Sequence, residues 1–235
     1  MSQDQNLGKG LVDTKKDFQN LKKNLIRNII DKVELRMINI INNFYNPKNL
    51  GLVMFNFLNM HFESNHQSYA NYYGGDRKLS YPTWESANLL DSEYINPYRI
   101  FKDTWIEKTK IKPLHINTFF RKTKLEECKE SPSWKQYKPH RDNSDKGGND
   151  VAGIIYFNSN FLRDGTFIFN ERYEYEPTII VGSQPNRCVY YPSDVWHSPS
   201  MEQNVQERWI QPFFIIYKDE TYKKFLDYKN TRQDV

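Results

Sequence analysis

Apolar positions change their spacing about halfway along this chain. In the first half they recur at helical intervals; in the second they form short runs cut by Gly, Asn, Asp and Pro. Phe18, Leu21, Leu25 and Ile29 fall on one face of a helix that Asp13-Thr14 can cap. Val33–Ile41 alternates between apolar and polar and reads as a strand. Asn42–Pro47 reads as a turn, and Leu50–Phe62 as a buried amphipathic helix whose Phe and Met residues are core packing rather than a cofactor box. Residues 63–85 read as a loop centred on Asn71–Arg77, where the pair Gly74-Gly75 permits tight backbone turns. Residues 86–110 predict a helix with Pro97 at its start or at a break.

From Leu114 onward the strand-like runs are His115–Phe120, Val151–Phe157, Thr166–Phe169, Thr178–Val181, Arg187–Tyr191 and Arg208–Tyr217. Short strands with turn residues between them predict a sandwich or barrel. A closing helix is expected over Glu220–Tyr228, and there is no internal repeat. The expected fold is mainly β with flanking α-helices, around a jelly-roll core of the double-stranded β-helix type. It is read as one domain over residues 1–235. That domain comprises a helical extension (1–32), a strand with supporting helices (33–110), the jelly-roll core (111–218) and a C-terminal helix and tail (219–235).

Composition fits this picture. A chain of 235 residues that is 38% hydrophobic and 15% aromatic can bury one large core, built more from Phe and Tyr than from Leu and Ala. Mean hydropathy is low, −0.83, because Asn, Lys and Asp are abundant, and this indicates a polar surface with long loops. The net charge of +4 is mildly basic, with lysines near the N-terminus and along Lys102–Lys138. A solvated face explains them more simply than a nucleic-acid contact, since no nucleic-acid motif accompanies them. Cys128 and Cys188 are far apart, which excludes a disulfide scaffold and leaves a Cys-rich zinc site unsupported. There is no secretory signal and no apolar run long enough for a bilayer, so a soluble, cytoplasmic protein is expected.

The chemistry-bearing residues lie in the second half. His140 and Asp142 are two apart, so on an extended segment both side chains project to one side while Arg141 points away. His197 comes 55 residues beyond Asp142, after a strand-like run and the turn Pro192–Asp194, which places it at a strand mouth. Two imidazoles and a carboxylate are the ligand set of a non-haem Fe(II) site that keeps coordination positions open. Arg208 follows His197 by 11 residues at the start of an apolar run, where a cation can hold the far carboxylate of a 2-oxo acid. A bare His-x-Asp with a distant His is a weak signal; the strand order around it, ending in Arg208, makes it specific. His115 reads as structural, and His61 and His66 are wrongly spaced for one helix face.

The stretch from about Leu114 to Tyr217 resembles the Fe(II)/2-oxoglutarate-dependent dioxygenases, nearest to their prolyl-4-hydroxylase-like branch and its phage and microbial relatives. The resemblance rests on His140-Arg141-Asp142, Ala152–Asn158, Gly165-Thr166-Phe167, Val189–Pro192, His197 and Arg208, with Met37–Phe44 resembling the opening strand of such proteins. It implies that His140, Asp142 and His197 bind Fe(II), and that Arg208 pairs with the C5 carboxylate of the co-substrate 2-oxoglutarate. An arginine fork suits that task because it can take a carboxylate bidentately. It further implies a hydroxylase that releases succinate and CO2, with ascorbate as a possible accessory. Asn117 and Tyr156 are the secondary candidates for the co-substrate pocket; for Tyr156, an ordinary core tyrosine is an equal reading. Arg77 is a weaker candidate for substrate contact.

The departures are informative. Ile210 stands where some members carry a Ser after Arg-x, and Arg208 stands where the prolyl hydroxylases proper use Lys. Phe119 replaces a Tyr two residues after Asn117, and the intact Asp142 argues against a halogenase. The expected partner is a peptide or protein side chain, with a small amino-acid-like metabolite close behind and a nucleobase third. The alternative is a non-catalytic or differently metallated, cupin-like barrel.

Overall fold

Strand β11, Glu207–Ile216, is the spine of the larger sheet. In the computed structural model, residues 38–64, 83–90, 95–124, 139–142, 148–158, 164–171, 176–199 and 206–233 are described. They belong to one of the two units into which the chain divides, Ile38–Val235. The helix expected over Phe18–Ile29, most of the Val33–Ile41 strand and the Gly74-Gly75 loop with Arg77 lie outside the described residues.

On one edge β11 pairs with β6 (Val151–Tyr156), and on the other with β4 (His115–Thr118) and β5 (Arg121–Lys124). The register is continuous from β4 to β5, since Thr118 faces Phe213 and Arg121 faces Ile210. The ladder breaks between them, opposite Pro212, which has no N–H to give. Pro212 can only accept, taking the Thr118 hydroxyl at 2.9 Å. The eight-stranded sheet continues outward from β6 to β9 (Arg187–Pro192) and β1 (Asn39–Ile41), and from β5 to β3 (Trp84–Glu85) and β2 (Glu63–Ser64). A second sheet holds β10 (Trp196–Pro199), β7 (Thr166–Phe169) and β8 (Ile179–Val181), and all pairings are antiparallel.

Side-chain alternation gives the larger sheet two apolar faces. Trp209, Phe213 and Ile215 of β11 join Val151, Ile155 and Cys188 on the face that packs α1 (Pro47–Asn59) and α2 (Ile95–Thr109). Phe57, Phe101 and Trp105 from these helices fill that layer, with Trp105 edge-on to Phe213 and Tyr190. Ile210, Ala152, Tyr156, Val189 and Tyr191 face the other way and meet Ile168 and Val181 of the second sheet. Two sheets enclosing a core, with helices on one outer face, is the jelly-roll architecture the sequence predicts.

Local differences have physical causes. Helix α1 starts three residues before Leu50 because Asn46 caps it, its Oδ1 accepting the Asn49 N–H at 2.9 Å, with Pro47 in the first turn. The stretch 63–85 is not all loop, since β2 and β3 form its ends. Pro97 lies in the first turn of α2. The C-terminal helix α3 spans Asp219–Gln233 and extends past the expected Tyr228. Its entry is held by Asp150, which accepts from Tyr217 N, Lys218 N and Thr221 Oγ1 at 2.9, 2.9 and 2.7 Å. Strand β5 was not expected; its sequence, Arg-Lys-Thr-Lys, has no apolar residue to announce it. Its Lys122 instead lays its ammonium over the Phe62 ring at 4.1 Å.

Candidate metal centre

His197 sits within β10, one residue into the second sheet rather than at a strand mouth, because the turn at Ser193-Asp194 is tight and pairing resumes at Trp196. His140 docks on it as an isolated antiparallel bridge. The two residues exchange both backbone hydrogen bonds, at 2.9 and 3.0 Å. Asp142 N then donates to Ser193 O at 3.0 Å, which fixes the His-x-Asp segment against the β9–β10 turn.

This pairing brings the three expected ligands together. One ligand atom from each of His140, Asp142 and His197 lies within 4.8 Å of the others. Asp142 Oδ2 is 3.2 Å from His197 Nε2, and its Oδ1 is 3.6 Å from His140 Nε2. His197 Nδ1 is 3.0 Å from Val195 O. A proton on Nδ1 donated to that carbonyl leaves the Nε2 lone pair directed at the cluster, the usual way a second hydrogen bond orients a metal-ligating histidine. Arg141 points away as expected and stacks its guanidinium on Trp196, 4.3 Å from the ring centre.

The electrostatics suit metal binding. Burial, then the neighbouring His197, lowers the His140 pKa to about 4, so the imidazole is neutral and ready to coordinate at neutral pH. Burial pushes the Asp142 carboxyl up, but His197, His140 and Arg121 together outweigh it and hold the carboxyl below its ordinary value. Arg121 went unremarked in the sequence. It lies opposite Ile210 on the inward face of β5, close enough to act on both His140 and Asp142. Glu85, its cross-strand neighbour, binds it through Oε1, at 2.9 Å to Nε and 2.7 Å to Nη2. The only sequence signal for this pair would have been two opposite charges in segments that pair, and neither segment looked like a strand.

Arg208 is 1% exposed, on the same inward face of β11 as Ile210. Its Nη2 donates to Gly165 O at 3.1 Å, and its Nε lies 3.9 Å from Asp164 Oδ1 and meets no hydrogen-bond acceptor. Its guanidinium carbon is 5.4 Å from the centre of the Tyr156 ring. The Tyr156 hydroxyl shares a 2.6 Å hydrogen bond with Thr166 Oγ1. Burial raises the Tyr156 pKa, partly offset by Arg208, so the phenol stays protonated. Arg208 and Tyr156 therefore share one buried polar cluster. Asn117 lies opposite Phe214 on the inward face of β4 and takes a 2.9 Å hydrogen bond from Asn88 Nδ2.

The two clusters sit on one strand pair. Thr166 faces Pro199 and Ile168 faces His197 in the β7–β10 ladder. Thr166 and His197 therefore lie on one face, separated by a two-residue step of about 7 Å. Two imidazoles and a carboxylate fit a first-row divalent metal such as Fe(II). A buried guanidinium with an unmatched N–H fits the carboxylate of a ligand that reaches that metal.

No family model matches the sequence, and no curated protein matches it. Solved structures do match. A prolyl hydroxylase from Trichoplax adhaerens, in complex with a hypoxia inducible factor oxygen degradation domain peptide fragment, is 14% identical with a TM-score of 0.52. The alignment covers 89% of this chain and 95% of that one. A Pseudomonas putida prolyl-4-hydroxylase is 12% identical with a TM-score of 0.50, over 82% of this chain and 99% of the other. HygX from Streptomyces hygroscopicus, with nickel, 2-oxoglutarate and hygromycin B bound, is 9% identical with a TM-score of 0.51, over 81% and 86%. The chain has the double-stranded β-helix fold of the 2-oxoglutarate oxygenases, with prolyl hydroxylases among its structural neighbours. At these identities the likeness is one of fold, and the reading of the site rests on the residues above.

Proposed function

We propose that this protein is an Fe(II)- and 2-oxoglutarate-dependent oxygenase. It hydroxylates a peptide or protein side chain, or a small amino-acid-like metabolite, with release of succinate and CO2. One observation carries the reading: His140, Asp142 and His197 converge within 4.8 Å, one step along a strand pair from the cluster that holds the buried Arg208. The fold supports it, and so do its structural neighbours, one with a peptide bound and one with 2-oxoglutarate and a small molecule.

Bound iron, with the 2-oxo acid and O2, supplies the oxidising chemistry. The residues of the chain bind and orient. His140 and His197 would hold the metal through their Nε2 atoms and Asp142 through its carboxylate, a ligand set that would leave coordination positions for the co-substrate. Val195 O holds the His197 ring, and the paired backbones of His140 and His197 fix the distance between the two rings. Arg208 takes the distal carboxylate, with the hydroxyls of Tyr156 and Thr166 beside it. Asn117 and the Arg121–Glu85 pair face the same interior, where the prime substrate is admitted. A barrel holding a different metal for a different reaction has no use for a buried cation such as Arg208, and this weighs against the cupin-like reading.

The experiment is to incubate the protein with Fe(II), ascorbate, 2-oxoglutarate and candidate peptides or a cell extract, and to follow succinate and oxygen-adduct products by mass spectrometry. Succinate that depends on iron and 2-oxoglutarate is expected. Its absence with every substrate and without substrate contradicts the proposal.

A further inference from the structure

Two asparagine side chains meet beside the corner where β4 gives way to β5. Asn88 comes from the segment after β3, which is laid along that corner. Ser86 N donates to Phe120 O at 2.9 Å, Leu89 N to Thr118 O at 3.0 Å, and Phe120 N to Ser86 Oγ at 2.9 Å. Leu89 is fully buried in the core shared with the helices and anchors the segment. From this frame Asn88 Nδ2 donates to Asn117 Oδ1 at 2.9 Å. We propose that Asn88 is a positioning residue: it fixes the Asn117 carboxamide so that Nδ2, a donor, is the end offered to the bound 2-oxo acid. The identity of that ligand rests on the oxygenase reading; the orientation of the amide does not.

The two ends of a carboxamide have nearly the same shape and opposite hydrogen-bond roles. Here the choice between them is made from outside the pair. Leu90 N can only donate, and it gives its proton to Asn88 Oδ1 at 2.9 Å. That fixes the oxygen end of Asn88, so its other end is the N–H donor. The atom of Asn117 facing that donor must accept, and it is Oδ1. A backbone amide thus sets the polarity of a side chain on the neighbouring strand. Asn117 stands on the inward face of β4, opposite Phe214, and its Nδ2 donates to no group among the described residues. Nδ2 is therefore the end left for a ligand.

Polarity matters to this ligand. 2-Oxoglutarate at neutral pH carries acceptors only, two carboxylates and a ketone. It gains from an N–H and is repelled by an amide oxygen, and a hydrogen bond to an ionised acceptor is among the stronger ones. An asparagine free to turn presents either end. One held by Asn88 presents the useful end without rearrangement.

The test is Asn88→Asp, which keeps the size and the bond from Leu90 N but replaces the donor by an acceptor. Asn117 must then turn over to give Nδ2 to the new carboxylate, and its Oδ1 takes the place of Nδ2. Anaerobic titrations measure the binding of Fe(II) alone and of 2-oxoglutarate to the iron-loaded protein. Binding of 2-oxoglutarate is expected to weaken about tenfold, as for loss of one charge-assisted hydrogen bond, with iron affinity little changed. Because the substitution also adds a charge, it is made again in an Asn117→Ala background. There it should shift 2-oxoglutarate binding by less than about twofold, since the carboxamide it acts through is gone. The same loss in both backgrounds, or no loss in either, overturns the proposal. If Asn88→Asp does not fold, Asn88→Ala takes its place: it adds no charge and leaves Asn117 free to turn. It should weaken 2-oxoglutarate binding only while Asn117 is present, and a loss that persists in Asn117→Ala overturns the proposal. Side-chain amide signals of isotope-labelled protein give a reading that needs no ligand. Those of Asn117, assigned by their loss in Asn117→Ala, should move in either Asn88 variant; unmoved signals overturn the relay. Wild-type protein that takes up iron but not 2-oxoglutarate defeats the co-substrate reading instead, and the amide signals still decide the role of Asn88.

Discussion

His140 and His197 hold each other by their backbones: each donates its N–H to the carbonyl of the other, at 2.9 and 3.0 Å, with ring centroids 4.3 Å apart. The convergence of the two imidazoles is therefore built by strand pairing, and the rings are carried on it.

It follows that the candidate ligand side chains can be removed without dismantling their frame. His140→Ala, Asp142→Ala and His197→Ala should each fold, as circular dichroism will show. Each should lose Fe(II) affinity by more than the roughly 10–100-fold that loss of a supporting partner costs. A single variant that keeps wild-type affinity excludes its residue from the ligand set.

Arg208→Ala is expected to act differently. It should weaken 2-oxoglutarate binding far more than iron binding, measured by separate titrations. It should also destabilise the protein by about 3–5 kcal/mol, the cost of breaking a buried ion pair. Equal loss of both ligands contradicts the assigned role.

Gly153 leaves room on β6 for the side chain of Phe213, its neighbour on β11. A Cβ there would overlap the Phe213 ring and lie 2.7 Å from Val189 O. Gly153→Ala should cost about 1–3 kcal/mol by overpacking, seen as a lower denaturant midpoint. A neutral result means that the β6–β11 sheet yields more readily than its packing implies.

Acid should destabilise the metal-free protein. The folded-state pKa of His140, about 4, is below the ordinary 6.5, so the unfolded chain takes up a proton first as pH falls. Its contribution to stability is full above pH 6.5 and is lost between 6.5 and about 4. Asp142, also lowered, acts in the same direction at the acid end. The His140 side chain is 42% exposed, so screening makes the effect smaller than the full pKa difference. Unfolding of chelator-treated protein at several pH values should show this slope, and His140→Ala should flatten it.

The convergence of the three candidate ligands was legible because their signal is local: His140-x-Asp142 is complete within three residues, and His197 follows a clear strand and turn. Arg208 stood out as a cation leading an apolar run. Arg121 and Glu85 were hidden for a common reason. A residue that faces a polar pocket from a strand breaks the apolar alternation that marks strands, so β5 and β3 read as loop. Asp164 stands just before the strand that starts at Thr166, and only folding places it beside an arginine 44 residues away. The inward faces hold the candidate site, and they are where apolar patterning is least informative.

The most direct test of the central claim is an anaerobic titration of the protein with Fe(II) and 2-oxoglutarate, followed by visible absorption. A 2-oxo acid that chelates protein-bound iron gives a charge-transfer band. A saturable band at one iron per chain is expected, abolished in His197→Ala and requiring much more 2-oxoglutarate in Arg208→Ala. No band from wild-type protein, or a band that persists in His197→Ala, contradicts it.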